Sequence, residues 1–474
     1  MKNIINISLL CLFGLTSCHV PDSMRQQDAI LLSDSMREAS CVYLTGDENN
    51  IPVVSWVETV SGTKHKYFFV AFWNEDKSRF GTPVSIPIEQ NASIHEEGMP
   101  KIAVKGNGVL MAVYEVSAPT AASNWAGFIH YLQSTDNGKT WSEPACVHAD
   151  TTGDKERSFA AVTRLANGEI GVCWLDAAFE KAGKGRPVKF AHTNGQSGFA
   201  NEQVIDSLAC ECCRTAISSD DKGNINIVYR DILPGSVRDI SRSTSHDNGL
   251  IFNHPLSFSN DDWVINGCPH NGPSVANNGK NTYATWFAGG EKSGLYYGEL
   301  NEKGEMKKKT LMTANGRNIQ LCLMPGGERI IVYNETIREG DSIYSKIKVS
   351  KIKGDAVTYG EVTGSNAHAV YPVVHGIEKN TFVACWVENG SIYYRQIDAG
   401  SITQTVQPIS TALSGPAGGI HTVIYLSNKT DPVCGMHVGQ GSDTTLYKGK
   451  IIGFCNEMCK TKFLSKPASF EKVQ

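Results

Sequence analysis

Apolar residues in this chain fall in short dense runs, each following a polar turn, and the arrangement repeats. A short strand-like segment leads to a Gly or Asn turn, and then to an apolar run that ends on an aromatic residue, often with an acid just after it. The run appears at 52–58, 109–115, 170–176, 225–231, 282–287, 329–335 and 381–388, with Trp56, Tyr114, Trp174, Tyr229, Trp286, Tyr333 and Trp386 at the aromatic position. A period of roughly 50 to 60 residues is the length of one four-stranded propeller blade with its loops. The pattern therefore predicts an all-β protein, a β-propeller of six or seven four-stranded blades. The number stays open because one of the seven runs could be a strand that closes the ring with a partner from the other end. The recurring tryptophans are expected to pack between blades. A content of 45 glycines with only 19% charged residues agrees with turn-rich β structure.

Two of the units carry Ser134-Thr-Asp136-Asn-Gly138-Lys-Thr-Trp141 and Ser245-His-Asp247-Asn-Gly249-Leu-Ile-Phe252. Asp and Gly suit a tight hairpin turn over which the aromatic residue can pack. These segments resemble the Asp box of sialidase-type propellers, which serves folding and carries no catalytic role.

The last forty or so residues read differently. Asp431-Pro-Val-Cys434-Gly-Met436 is followed by Tyr447-Lys-Gly-Lys450 and by Phe454-Cys455-Asn-Glu-Met-Cys459. Cys455 and Cys459, four apart, would share one face of a helix, and Cys434 would close the site from the preceding turn. The pattern resembles the YHS domain, a small α+β relative of the TRASH modules, over residues 429–474. The resemblance implies a thiolate site for copper or another soft ion. Thiolate softness by itself favours Cu(I), zinc or an iron cluster over magnesium or calcium. Three sulfurs suit trigonal Cu(I) better than structural zinc, which takes four ligands. Met436, His437 and Met458 are candidate fourth ligands. The alternative is a Cys455–Cys459 disulfide with Cys434 left over.

In a propeller, the segments that lead into the innermost strands converge on one face. Here they include His95-Glu96-Glu97-Gly98, Arg157-Ser-Phe159, Cys210-Glu-Cys212-Cys213-Arg214, Cys268-Pro-His270-Asn-Gly272, Arg317-Asn318, and His368 with Tyr371. Cys210, Cys212, Cys213 and Cys268, with His270 beside them, form a candidate second soft-metal site, and a disulfide from Cys268 to one of the other three is the rival. The Cys-x-Cys-Cys-Arg and Asn-Gly-Cys-Pro-x-Asn-Gly-Pro segments look like those of bacterial lipoproteins labelled sialidase-like. Sialidase chemistry needs three arginines on the substrate carboxylate, a Tyr nucleophile activated by a Glu, and an acid/base Asp. The family's first arginine stands in an Arg-Ile-Pro phrase, and this chain has none. Arg157, Arg214 and Arg317, with Tyr371 and Glu96 or Glu97, can be assembled as replacements, though no motif selects them. Arg230 and Arg238, each followed by an Asp, read equally well as local ion pairs.

The N-terminus has Lys2, an apolar run at 4–15 and Leu15-Thr-Ser-Cys18. This is an export signal, and its ending resembles the bacterial lipobox, which implies lipidation at Cys18. The apolar run is short of the roughly 20 residues that span a bilayer. The expected order is thus a signal peptide (1–17), a lipidated Cys and polar linker (18–39), the propeller (40–410), a second linker (411–428) and the YHS-like module (429–474). The expected address is the bacterial cell envelope, lipid-anchored and facing the periplasm or the outer membrane. A net charge of −4 without runs leaves no basic patch, so nucleic acid is not an expected partner. The expected function is soft-metal binding, copper before zinc, with the propeller face open to a protein partner. The alternatives are an exo-sialidase-like glycosidase acting on acidic sugars at the propeller mouth and a protein-interaction scaffold.

Overall fold

The computed structural model describes residues 28–179, 185–195, 198–265, 269–290, 292–339, 342–364, 367–405, 427–433, 438, 443–448, 450–454 and 457–470. The apolar runs form the second strand of each of seven antiparallel sheets: Pro52–Val60, Leu110–Ser117, Ile170–Leu175, Ile225–Arg230, Thr282–Ala288, Arg329–Glu339 and Thr381–Glu388. Ile170–Leu175 and Ile225–Arg230 are buried along their whole length. Each lies inside a sheet covered on both faces by neighbouring blades, which is why the sequence shows near-continuous apolar runs rather than alternation.

The innermost strands are Arg37–Gly46, Lys101–Val104, Ser158–Arg164, Ala216–Ser219, Ser274–Asn277, Gly316–Leu323 and Ala369–Glu378. Each touches the next around the axis, and the last touches the first, so the ring is closed with seven blades. All seven apolar runs belong to blades of their own. The closing strand is a different segment, Ile30–Leu31, which pairs with Tyr394 and Tyr393 at the outer edge of blade seven. Leu32 N–H donates to Ile392 O at 2.8 Å, and Ile392 N–H to Ser33 Oγ at 2.9 Å. The stretch expected to be a linker to residue 39 thus enters the fold at Ile30, because blade seven would otherwise expose the unpaired edge of Ser391–Asp398.

Trp56, Trp174, Trp286 and Trp386 are at most 1% exposed. The acids that follow three of them have a structural purpose. Trp56, Trp174 and Trp386 each donate their indole N–H to the carboxylate two residues on, Glu58, Asp176 and Glu388, at 2.8–2.9 Å. Trp286 uses Asp261 instead, at 2.7 Å. A buried indole N–H needs such a partner.

Both Asp boxes close the hairpin between the third and fourth strands of their blades. In blade two, Asp136 accepts from Thr140 N–H and Oγ1–H at 2.8 and 2.7 Å, and Trp141 donates to Gly138 O at 3.0 Å. Asn137 and Gly138 hold φ of 59° and 84°, the left-handed pair that a tight hairpin turn demands. Asp247 accepts from Leu250 and Ile251 N–H in blade four, both at 3.0 Å.

The C-terminal module pairs Asp443–Tyr447 with Lys450–Phe454 and continues into a helix, Glu457–Ser465. Ser427 N–H donates to Ile451 O at 2.7 Å, so the module begins slightly before residue 429. Ile452, Phe454, Cys459 and Phe463 form its core. Among the described residues, no helix is long and apolar enough to cross a membrane.

Candidate metal centre

The segment between Phe199–Ala209 of blade three and Ala216–Ser219 of blade four carries Cys210, Cys212 and Cys213, all at most 4% exposed. Their sulfurs lie within 4.8 Å of one another, with Cys210 Sγ and Cys212 Sγ 3.6 Å apart. A soft ion bound at about 2.3 Å to each sulfur places neighbouring sulfurs about 3.8–4.0 Å apart, inside that spread. Among the described residues this is the one such cluster of metal-ligating side chains, and none of the described cysteines forms a disulfide.

The surroundings favour a sulfur anion at Cys213. At Cys210 the hydrogen bond with Cys212 is outweighed by the one with Cys213, by burial and by the Cys213 charge, which push it above the ordinary thiol pKa. Arg230 is 1% exposed, donates to the carbonyl oxygens of Arg238, Asn271 and Phe287 at 2.7–3.0 Å, and lies 4.9 Å from the Trp263 ring. Arg238 Nη1 stands 3.8 Å from Glu211 Oε2. Neither arginine makes the local pair with its adjacent aspartate that the sequence suggested, because Asp231 is engaged by Ser241 Oγ–H and Asp239 by the amides of Asp261, Asp262 and Trp263. Burial opposes ionisation of Cys213. Hydrogen bonds from Cys210 and Cys212, the charge of Arg230 and the Asn271 amide outweigh it and hold Cys213 well below the ordinary thiol pKa. Burial likewise opposes the charge of Arg238, yet Cys210, Glu211 and Cys212 raise its pKa. Arg230 Nε is buried here without a hydrogen bond.

His270, half-buried at φ 43°, follows from the adjoining approach segment. Cys268 lies outside the described residues, as do Cys18, Cys434, Cys455, Met436 and His437. Of the three YHS-like thiols, Cys459 is placed, on the helix and 7% exposed.

Four of the innermost strands carry bulges. Registers shift at 40/43, 158/161, 317/320 and 370/373, and Cys41, Phe159, Asn318 and Tyr371 there take φ of 52–59°. Two of these amides donate to carboxylates of blade two or its approach: Cys41 N–H to Glu96 Oε1 at 3.0 Å, and Phe159 N–H to Glu115 Oε1 at 2.5 Å. Burial raises the Glu96 pKa to about 7, and burial lowers that of Lys101 to about 8.

The arginines considered for a carboxylate clamp are otherwise engaged. Arg214 Nη1 contacts Glu97 Oε1 at 2.5 Å, and Glu97 Oε2 also accepts from Gly272 N–H at 2.9 Å. Arg157 lies 3.6 Å from Asp176 and 3.7 Å from Asp150. Arg317 is half-buried over Phe287, 4.4 Å from the ring. Tyr371 sits at its bulge, and Glu96 serves the Cys41 amide. Sequence reasoning missed the guanidiniums beside the thiols. The available signal was Arg230 at the end of the apolar run that starts at Ile225, a strand buried along its whole length.

Residues 68–296 match the BNR repeat-like domain family, and residues 429–472 match the YHS domain family. No curated protein matches the chain. Among solved structures, the chain is similar to a protein of unknown function from Dyadobacter fermentans DSM 18053, at 13% identity and TM-score 0.46 over 79% of this chain and 98% of that one. It is similar to the intramolecular trans-sialidase from Ruminococcus gnavus, at 9% identity and TM-score 0.48 over 80% and 98%. It is also similar to the Penicillium chrysogenum alpha-L-arabinanase, at 14% identity and TM-score 0.43 over 64% and 93%.

Proposed function

From the premise that this chain is a sialidase-like β-propeller of seven blades with a C-terminal YHS domain, we propose that it binds soft metal ions, Cu(I) before Zn(II), at two thiolate sites. The buried cluster of Cys210, Cys212 and Cys213 carries the proposal, since its three sulfurs fall within 4.8 Å of one another. Ligand number supports the choice of ion. Three thiolates complete a trigonal Cu(I) site, whereas Zn(II) would call for a fourth ligand, for which His270 or Cys268 is the candidate.

The second site is that of the YHS domain, formed by Cys434, Cys455 and Cys459, all within the matched span. The protein is lipidated at Cys18 and held in the bacterial cell envelope, and the propeller face is available to a protein that receives or delivers the ion. An acidic-sugar hydrolase is less well supported, because Arg157 and Arg214 already face carboxylates of the protein itself.

The test is metal content and thiol titration on protein purified without oxygen, beside two variants: Cys434→Ser/Cys455→Ser/Cys459→Ser and Cys210→Ser/Cys212→Ser/Cys213→Ser. Each is expected to lose one bound copper while retaining the other. A parent protein that binds neither copper nor zinc with its thiols reduced would sink the proposal.

A further inference from the structure

The three buried thiols of the propeller stand on a turn rather than on a strand. Glu211 and Cys212 occupy the corner of that turn, between Phe199–Ala209 and Ala216–Ser219, so Cys210 and Cys213 flank it in a C-x-x-C spacing. The ends of such a turn approach to within about 7 Å between Cα atoms, and a disulfide spans about 4.4–6.8 Å. The sulfurs already lie within 4.8 Å of one another. Cys212 Sγ is 3.6 Å from Cys210 Sγ, but a bridge between those two would close through Glu211 alone and distort the corner, whereas one from Cys210 to Cys213 joins the two ends and leaves the corner as it is. Cys41, Cys173 and Cys385 differ, since each lies within a blade strand whose ladder holds the backbone.

The ends of the turn are anchored. Cys210 N–H donates to Arg230 O at 2.9 Å, and Arg214 is paired with Glu97. The two sulfurs can therefore close the remaining gap by side-chain rotation, with no sheet hydrogen bond broken. All three thiols are at most 4% exposed, and Ile232 packs against them. That cover admits a small oxidant and excludes a bulky one. We propose that Cys210 and Cys213 form a reversible redox pair, oxidised to a disulfide by hydrogen peroxide. Each thiol gives up one proton and one electron, the S–S bond forms as the O–O bond breaks, and the peroxide leaves as two waters. The consequence rests on the reading of these thiols as metal ligands: the bridge removes two of the three sulfurs, so the oxidised protein lets the ion go and the reduced protein takes it up again.

The experiment uses the whole protein, metal-free and carrying Cys434→Ser/Cys455→Ser/Cys459→Ser, so that the propeller thiols are read alone. It is treated with hydrogen peroxide or with glutathione disulfide, its remaining thiols are alkylated, and it is unfolded and cleaved after glutamate without reductant. Cleavage after Glu211 leaves Cys210 and Cys213 on one molecule only if a disulfide joins them. Peroxide is expected to join them with the loss of two free thiols, dithiothreitol to reverse this, and glutathione disulfide to leave them apart. Adding Cys212→Ser should keep the join and adding Cys213→Ser should abolish it. Circular dichroism checks that each variant folds, and the map of the protein with all propeller thiols present decides the matter if one does not. Cu(I) uptake is expected in the reduced protein and not in the oxidised one. The proposal is overturned if peroxide leaves the two peptides apart, yields a sulfinic or sulfonic acid, or joins Cys210 through Cys212 or Cys268. It is overturned equally if glutathione disulfide works as readily, or if both forms take up copper alike. A reversible join in a protein that takes up no copper when reduced would instead refute the metal reading and leave the redox pair standing.

Discussion

Glu97→Gln isolates the contact that ties the propeller together across its axis. Glu97 comes from the approach to blade two, Arg214 lies 117 residues further on at blade four, Gly272 belongs to the approach to blade five, and Arg214 Nη2 reaches Ile319 O of blade six at 3.1 Å. Both side chains of the ion pair are 7% exposed. The substitution keeps the shape and removes the charge, leaving a buried guanidinium without its counter-ion. Breaking one partner of such a pair costs about 3–5 kcal/mol. At about 2.1 cal/mol/K per residue, a propeller of roughly 370 residues has about 0.8 kcal/mol/K of unfolding entropy, so the midpoint should fall by about 4–6 °C. Scanning calorimetry at pH 8 reads this directly. Adding Arg214→Met should restore most of the loss, because the orphaned charge goes with it. A single variant that melts within 1 °C of the parent, or a double variant no more stable than the single, would refute the reasoning.

Two other outcomes are expected. Burial lifts Glu96 from 4.5 to about 7, so the folded state holds this proton more tightly than the unfolded one. Its contribution is full below about pH 4.5 and is lost as pH rises toward 7, an effect on the order of 3 kcal/mol. Glu96→Gln should flatten that part of the pH–stability curve, and equal slopes in the two proteins would contradict the assignment. Deleting the chain through Ser33 removes the Ile30–Leu31 closure. The midpoint should drop, and light scattering should show association through the exposed edge of blade seven. A monomeric truncation with unchanged melting would show that the closure contributes little.

The signals legible in the sequence were local ones. Apolar runs such as Ile170–Leu175 announced blade strands because such a strand is covered on both faces. The Asp boxes announced their hairpins because Asp136 and Asp247 bond to amides within four residues. The acids after Trp56, Trp174 and Trp386 were visible as a pattern, although the indole hydrogen bonds that explain them were not. The three thiols of the propeller were also legible as a group, since a span of four residues brings Cys210, Cys212 and Cys213 together whatever the rest of the fold does.

What the sequence could not decide depends on residues that meet only once the ring closes. Ile30–Leu31 looked like part of a polar tether because a two-residue edge strand carries almost no pattern, and its partners lie more than 350 residues away. Glu97 and Arg214 looked like catalytic candidates until the ring set them against each other. Arg230 and Arg238 looked like partners of the aspartates beside them, and the tertiary structure turned them to the thiols. By itself the sequence determined the repeat, its turns and the grouping of Cys210, Cys212 and Cys213, because contacts between residues close in the chain fix these. Which charges face which ligands was decided by ring closure, because a buried charge takes its partner from whichever blade packs against it.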